Sequence, residues 1–311
     1  MNLNKILERK LLNLTMDNNS GANEFIEKGL DIIKIYLDSV KNPNIDIKED
    51  IYELARNIID SRPSMAPLIN CMGYLIHDLT IITKKNISTR MQNLEHNAVK
   101  RRENLEQHFN DFLNSRGKDD LRLMLISYSS TITNLLLKSQ KHKLKLYILE
   151  SRPLLEGRKV ADNLSKLFKT NLIIDAAMGK FIDQVDIVLV GIDSILSNGS
   201  IINKIGTYPL AVLANSNKTK VYAVGDTFKY NLRSHFGQDV LIERKPSEEV
   251  FDGRRNKNLE IFNYYFDVTP AEFVTGIISD LGTLKVEDFL KNVKKTLPIE
   301  WFKYFLLNNA S

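Results

Sequence analysis

At 311 residues, 43% of them apolar and 26% charged, the chain has room for two domains of ordinary size and the composition of a soluble globular protein. It has no apolar run of about 18 residues, which excludes a transmembrane helix, and its N-terminus, MNLNKILERKLLNL, lacks the long apolar centre of a signal peptide. A net charge of +5 is mild: it favours anionic ligands or serves solubility alone.

The single cysteine, Cys71, rules out an internal disulfide framework and fits a reducing cytoplasm. The basic runs Lys100-Arg101-Arg102 and Lys138 to Lys145 read as solvated helix faces, because no aromatic residues interleave with them and no DNA-binding motif accompanies them. His77, His96, His108, His142 and His235 are scattered without metal-ligand spacing, so no metal is expected.

Residues 1–118 carry helical periodicity almost throughout. Leu3, Ile6, Leu11, Leu12 and Leu14 mark a first helix, and Phe25, Ile26, Leu30, Ile33 and Leu37 a second, after a turn and cap at Ser20 to Asn23. A third runs through Ile51, Leu54, Ala55, Ile58 and Ile59. Pro63 suits the first turn of the next, which carries Met65, Leu68, Ile69, Met72, Leu75 and Ile76. A long charged helix follows over about Met91 to Leu113.

From Leu121 the rhythm changes to alternating strands and helices. Strands are expected at Leu121–Ser127, Leu144–Glu150, Thr170 to about Asp175, Val185–Val190, Lys220–Gly225 and, at an edge, Asp239–Glu243. Helices are expected over Ile132 to Leu136, Gly157 to Lys169 and Leu210 to Leu213. A last strand covers Tyr264–Val268, and a short apolar helix or arm begins at Ala271. The order predicts an α/β fold: a helical N-terminal domain (1–118), then a Rossmann-like, doubly wound parallel sheet (119–311).

No G-x-G-x-x-G, P-loop or G-x-S-x-G motif is present, so no dinucleotide or other cofactor is implied. Polar clusters stand instead at the carboxyl ends of successive strands: Ser127 to Ser130, Glu150 to Pro153, Asp175 with Gly179, and Asp193 to Thr207. A doubly wound sheet lines such ends along one rim, where ligands bind. Each cluster also has a plainer reading, as helix caps, an ion pair for Arg152, or a solvated helix start at Asn203-Lys204. Together they form a candidate site for a phosphorylated small molecule, with a carboxylate (Asp193), an amide (Asn203) and an ammonium (Lys204).

At these residues the chain resembles a known family. SYSSTI (127–132), ESRPLLEGRKVA (150–161), DAAMG (175–179), GIDSILSNGSIINKIGTY (191–208) and DVTPAEFVTGI (267–277) are similar to the alpha, beta and delta subunits of translation initiation factor 2B. Ribose-1,5-bisphosphate isomerase and methylthioribose-1-phosphate isomerase belong to the same family. Ser20-Gly21-Ala22 and Ser61-Arg62-Pro63-Ser64 add weaker matches. The resemblance implies a helical domain followed by a Rossmann-like one, pairing of the latter into a homodimer or a hexamer, and association with initiation factor 2 or related subunits.

In the isomerases a cysteine and an aspartate move a proton between the first two carbons of a sugar phosphate. By resemblance, Asp193 is that aspartate and Ser127 stands where the cysteine falls. Ile126 replaces the histidine before it, and Ser20 the arginine ahead of Gly21-Ala22. A serine hydroxyl is far too weak an acid to stand in for a thiol without a partner base. These departures lead to the expectation of a non-catalytic regulatory subunit of archaeal type that binds a sugar phosphate or nucleotide through Gly21, Ala22, Arg62, Arg152, Asn203 and Lys204. The alternative is an isomerase that converts ribose 1,5-bisphosphate to ribulose 1,5-bisphosphate using Asp193.

Overall fold

A computed structural model describes residues 3–17, 22–63, 65–117, 120–254 and 256–307. Five helices come first: α1 (Leu3–Met16), α2 (Ala22–Ser39), α3 (Lys48–Asp60), α4 (Ala66–Ile76) and α5 (Lys84–Asn114). In α3 the expected stripe Ile51, Leu54, Ala55, Ile58 and Ile59 is buried, and Glu49 and Asp50 complement the positive end of the helix. Helix α4 is buried nearly all round, as its apolar composition requires. Its N-terminal proline is Pro67, not the expected Pro63, which lies in the preceding turn. Helix α5 starts well before the expected Met91, because Thr83 and Asn86 form a reciprocal capping box.

The α/β half adds β1 (Leu121–Leu125), α6 (Ser130–Leu137), β2 (Leu144–Leu149), α7 (Glu156–Ser165), β3 (Lys169–Ile173), α8 (Met178–Phe181), β4 (Ile187–Val190), β5 (Ser194–Ile195), β6 (Ile201–Lys204), α9 (Thr207–Ser216) and β7 (Lys220–Val224). After these come α10 (Leu232–His235), β8 (Phe266–Thr269), β9 (Gly276–Ser279), β10 (Gly282–Leu284), α11 (Val286–Thr296) and α12 (Glu300–Leu307). The main sheet has the order β10-β9-β7-β4-β1-β2-β3 and is parallel except for the β9–β10 pair. The chain moves outward from β1 to β2 and β3, then returns to lay β4 on the other side of β1. The carboxyl ends of β1 and β4 therefore form the topological switch point, where such sheets leave a crevice.

Alternate residues of each strand feed two cores. Leu121, Leu123 and Leu125 face one core with α6, α7 and the end of α5; Met124, Tyr147 and Val188 face the other with α1–α4, α9 and α11. Helices cover both faces, as a doubly wound sheet requires. Arg122 fixes the strand register at the opposite rim, donating from Nε and Nη2 to the two oxygens of Asp186 at 3.0 and 2.8 Å.

Three further readings need correction. Asp239–Glu243 forms no strand: β10 already closes that edge, and Leu241 is exposed. The stretch after Ala271 is a single 3₁₀ turn followed by β9, whose β-branched residues complete the sheet. Asn203 and Lys204 do not start a helix. They end β6, the middle strand of an unanticipated three-stranded antiparallel sheet, β5-β6-β8.

Candidate active site

The end of β1 is set by backbone that only its neighbours could hold. Ser127, Ser151 and Leu155 have positive φ, at 68°, 67° and 59°. Each such non-glycine residue costs about 1–3 kcal/mol, so the surroundings must over-determine it. They do. Ser127 donates its N–H to Ser151 Oγ at 2.8 Å, and Ser151 Oγ donates to Leu149 O at 3.0 Å. The N–H groups of Ser151 and Arg152 donate to the two oxygens of Asp175 at 2.8 and 2.7 Å. Asp175 thus ties the end of β3 to that of β2, and Ser151 ties β2 to β1.

This clamp delivers Ser127 Oγ to Glu156 Oε1, to which it donates at 2.9 Å. Lys204 Nζ lies 2.7 Å from the same oxygen, in an ion pair whose lysine is 3% exposed. Glu156 reaches them because α7 begins hard against β2: a Cβ on Gly157 would stand 1.9 Å from Leu149 O. Ser127 therefore has a carboxylate partner, itself held by a lysine. Glu156 lies inside the motif 150–161, but nothing in the sequence singled it out.

Asp193 follows β4, where its N–H donates to Ile202 O at 2.9 Å and leads the chain into β5. Burial raises its carboxyl above the ordinary range. Lys229 and then Lys204 oppose that shift, while Glu156 and Glu243 add to it. Ser127, Ser129, Gly191, Asp193, Asn203 and Lys229 line one small cavity of about 80 Å³ at the switch point. Asn203 donates from Nδ2 to Thr207 Oγ1 at 3.0 Å, which fixes its orientation. Ser129 has the plainer role, capping α6 through Ile132 N at 3.2 Å. Lys229 was missed by the sequence reading, although the turn after KVYAVG is another strand end on the same rim.

The remaining sequence candidates are placed less uniformly. Arg62 is buried, and its guanidinium donates to Thr15 O at 3.3 Å and to Asp17 O; burial lowers its pKa. It acts electrostatically on Lys245, whose ammonium lies 5.2 Å from the Tyr265 ring that Lys204 also approaches at 5.3 Å. Arg152 joins the site by its backbone only: its side chain is exposed and, among the described residues, has no ion pair. Ala22 begins α2, and Gly21 lies outside the described residues. The one thiol, Cys71, sits buried in α4, where desolvation pushes its pKa up to about 12. Among the described residues no cluster of His, Cys, Asp or Glu could hold a metal ion, and no helix is long and apolar enough to cross a membrane.

The profile of the initiation factor 2 subunit family matches residues 18–286. The chain belongs to that family. Among its relatives, ribose 1,5-bisphosphate isomerase of Methanocaldococcus jannaschii is 29% identical over 245 residues, covering 77% of this chain and 78% of that protein. A protein of Pyrococcus horikoshii named putative translation initiation factor eIF-2B subunit 2-like is 30% identical over 239 residues, covering 76% of this chain and 81% of its own. The methylthioribose-1-phosphate isomerase of Pelotomaculum thermopropionicum is 36% identical, over 50% of this chain and 44% of that protein. The crystal structure of translation initiation factor eIF-2B from Pyrococcus horikoshii OT3 superimposes with a TM-score of 0.76 at 25% identity, covering 90% of this chain and 96% of that one. The family thus includes relatives named as isomerases as well as relatives named as initiation factors, and the expectation that this member is not an enzyme has no support among them.

Proposed function

We propose that the chain is an aldose–ketose isomerase acting on a phosphorylated ribose, with ribose 1,5-bisphosphate as the first substrate to test. The observation that carries this reading is the hydrogen bond from Ser127 to Glu156, on the same cavity as a partly buried Asp193. Converting cyclic ribose 1,5-bisphosphate to its ketose moves two protons. One goes from C2 to C1; the other leaves the C2 hydroxyl as the carbonyl forms, while the ring oxygen is protonated as its bond to C1 breaks. Two acid–base groups on the one cavity serve these transfers. Asp193, its proton made easier to keep by burial, is one. Ser127 with Glu156 behind it is the second, the carboxylate supplying the basicity that the hydroxyl lacks. Lys229 opposes the negative charge that builds on the sugar oxygens. Asn203 orients the substrate, and Arg62 from the helical side and Lys245 from the chain before β8 supply positive charge for a phosphate. Gly21, Ala22 and Arg152 stay in the proposal as further contacts to the substrate.

The test is turnover of ribose 1,5-bisphosphate and methylthioribose 1-phosphate by the purified chain, with Asp193→Asn as control. Isomerisation of either that vanishes in the variant supports the reading. No turnover of either by the wild-type chain sinks it. The second reading, a non-catalytic regulatory subunit that binds a sugar phosphate or nucleotide, then takes its place; the serine in the position of the family thiol favours it. In both readings the chain self-associates. Leu241, Phe262 and Val268 are exposed in and beside the segment leading into β8, apolar side chains that such a contact would cover. Sedimentation giving a monomer at micromolar concentration removes that part.

A further inference from the structure

A second, roomier cavity lies away from the Asp193 cleft. It measures about 490 Å³ and opens where α4 and α5 meet the turn after β7 and the chain between α11 and α12. Three cations face it: Lys100 and Arg101 on α5, and Lys295 near the end of α11. Among the described residues none of them has an ion pair, and Arg101 Nε is buried with no hydrogen-bond partner. The Arg101 guanidinium instead lies 3.7 Å from the centre of the Phe228 ring. The lone carboxylate on the wall, Asp280, is already engaged, since it accepts from Thr227 N at 2.8 Å and from Thr227 Oγ1 at 3.0 Å. His77 pairs with Asp78 at 2.8 Å. What remains is a roomy pocket with an aromatic wall, unpaired positive charge, the side-chain amide of Asn104 and that of Asn97, which donates to the Tyr74 hydroxyl at 2.9 Å.

Its wall is shared. Thr227 and Phe228 face this cavity, and the next residue, Lys229, faces the Asp193 cleft. From α4, Asn70 grips the turn, donating from Nδ2 to Phe228 O and Tyr230 O, both at 2.7 Å. Asp226 caps the turn through Phe228 N at 3.0 Å. A ligand that draws Arg101 away from Phe228 therefore loads the segment that positions Lys229, the first of the charges acting on Asp193.

We propose that this cavity is a second ligand site, for a phosphomonoester carrying a flat ring, and that the turn Thr227–Lys229 couples it to the Asp193 cleft. A phosphate replaces the arene as partner of Arg101 and gains Lys100 and Lys295, while the ring lies along Phe228 and Tyr74. The site does not depend on what the Asp193 cleft turns over.

The test uses the full chain. In calorimetry, phenyl phosphate binds saturably and inorganic phosphate more weakly, and Arg101→Gln with Lys295→Gln weakens phenyl phosphate at least about tenfold. Photolabelling with 4-azidophenyl phosphate, competed by phenyl phosphate, marks residues near Tyr74, Asn97 or Phe228. Amide exchange at Thr227 to Tyr230 slows when phenyl phosphate is bound. No saturable binding up to about 10 mM overturns the site. Labels confined to Ser127–Thr131 and Gly191–Asp193 overturn it too, because they put the ligand in the other cleft. Inorganic phosphate binding as tightly as phenyl phosphate overturns the assignment of a ring-bearing ligand, and unchanged exchange at Thr227 to Tyr230 overturns the coupling.

Discussion

The two cavities treat charge in opposite ways. At the switch point the cavity is small and the groups behind it are mutually engaged: Lys204 on Glu156, Ser127 on the same oxygen, Asn203 on Thr207. In the larger cavity beside α5 the cations are unpaired and one stacks on an arene. A buried, paired array costs desolvation and holds its members in place, which suits proton transfer at fixed atoms. An unpaired array costs little until a ligand arrives, which suits binding that comes and goes. Position within a fold, then, does not tell a chemical site from a recognition site as well as the pairing of its charges does.

The sharpest way to break the contrast is Asp193→Asn, expected to lower kcat by about 10³-fold or more with the fold unchanged, measured by turnover and circular dichroism. Next is Glu156→Gln, which leaves Lys204 buried without its anion. A stability loss of about 3 kcal/mol is expected in urea denaturation, with kcat falling in parallel, and an unchanged midpoint would show the pair to be inert. A third test is the pH dependence of stability. Asp267 accepts from Gly206 N and Tyr208 N at the start of α9, yet burial still raises its pKa to about 6. A carboxyl raised in the folded state binds its proton more tightly there than in the unfolded chain. Its contribution is full below about pH 4 and is lost as pH rises through about 6. Asp267→Asn should flatten that slope. Ser127→Cys should raise kcat about tenfold, because a thiol needs less help from Glu156. The smallest effect belongs to the open cavity: Arg101→Gln without ligand should change turnover less than about twofold.

Much of the fold was legible in the sequence. Strands buried on both faces read as apolar runs, and β1, β2, β4 and β7 are such runs. The small sheet β5-β6-β8 was not legible. Its strands are two to four residues long, and they pair across more than sixty residues of sequence, at Asn203 with Asp267. Asp193, Asn203 and Ser127 could be named from the strand-end rule and from resemblance. Lys229 stands after another strand end on that rim and was within reach of the same rule; Glu156 was not, for it meets Ser127 and Lys204 only in the folded chain. Arg152 is the reverse case, a conspicuous residue whose backbone N–H ties β2 to Asp175 while its side chain stands in solvent, open to a ligand.

Helix α5 runs past both cores. Leu94 belongs to the one beneath α1–α4; Leu105, Phe109, Phe112 and Leu113 belong to the one on the far face of the sheet. At 31 residues it is about 46 Å long. A chimera joined after this helix would graft a foreign strut onto the sheet and put another protein's side chains at Leu105, Phe109, Phe112 and Leu113 of that core. Parts should therefore exchange between relatives more readily at the loop before Lys84 than at the charged turn after Asn114. Where a gene may be recombined is written in which residues a single helix buries at its two ends.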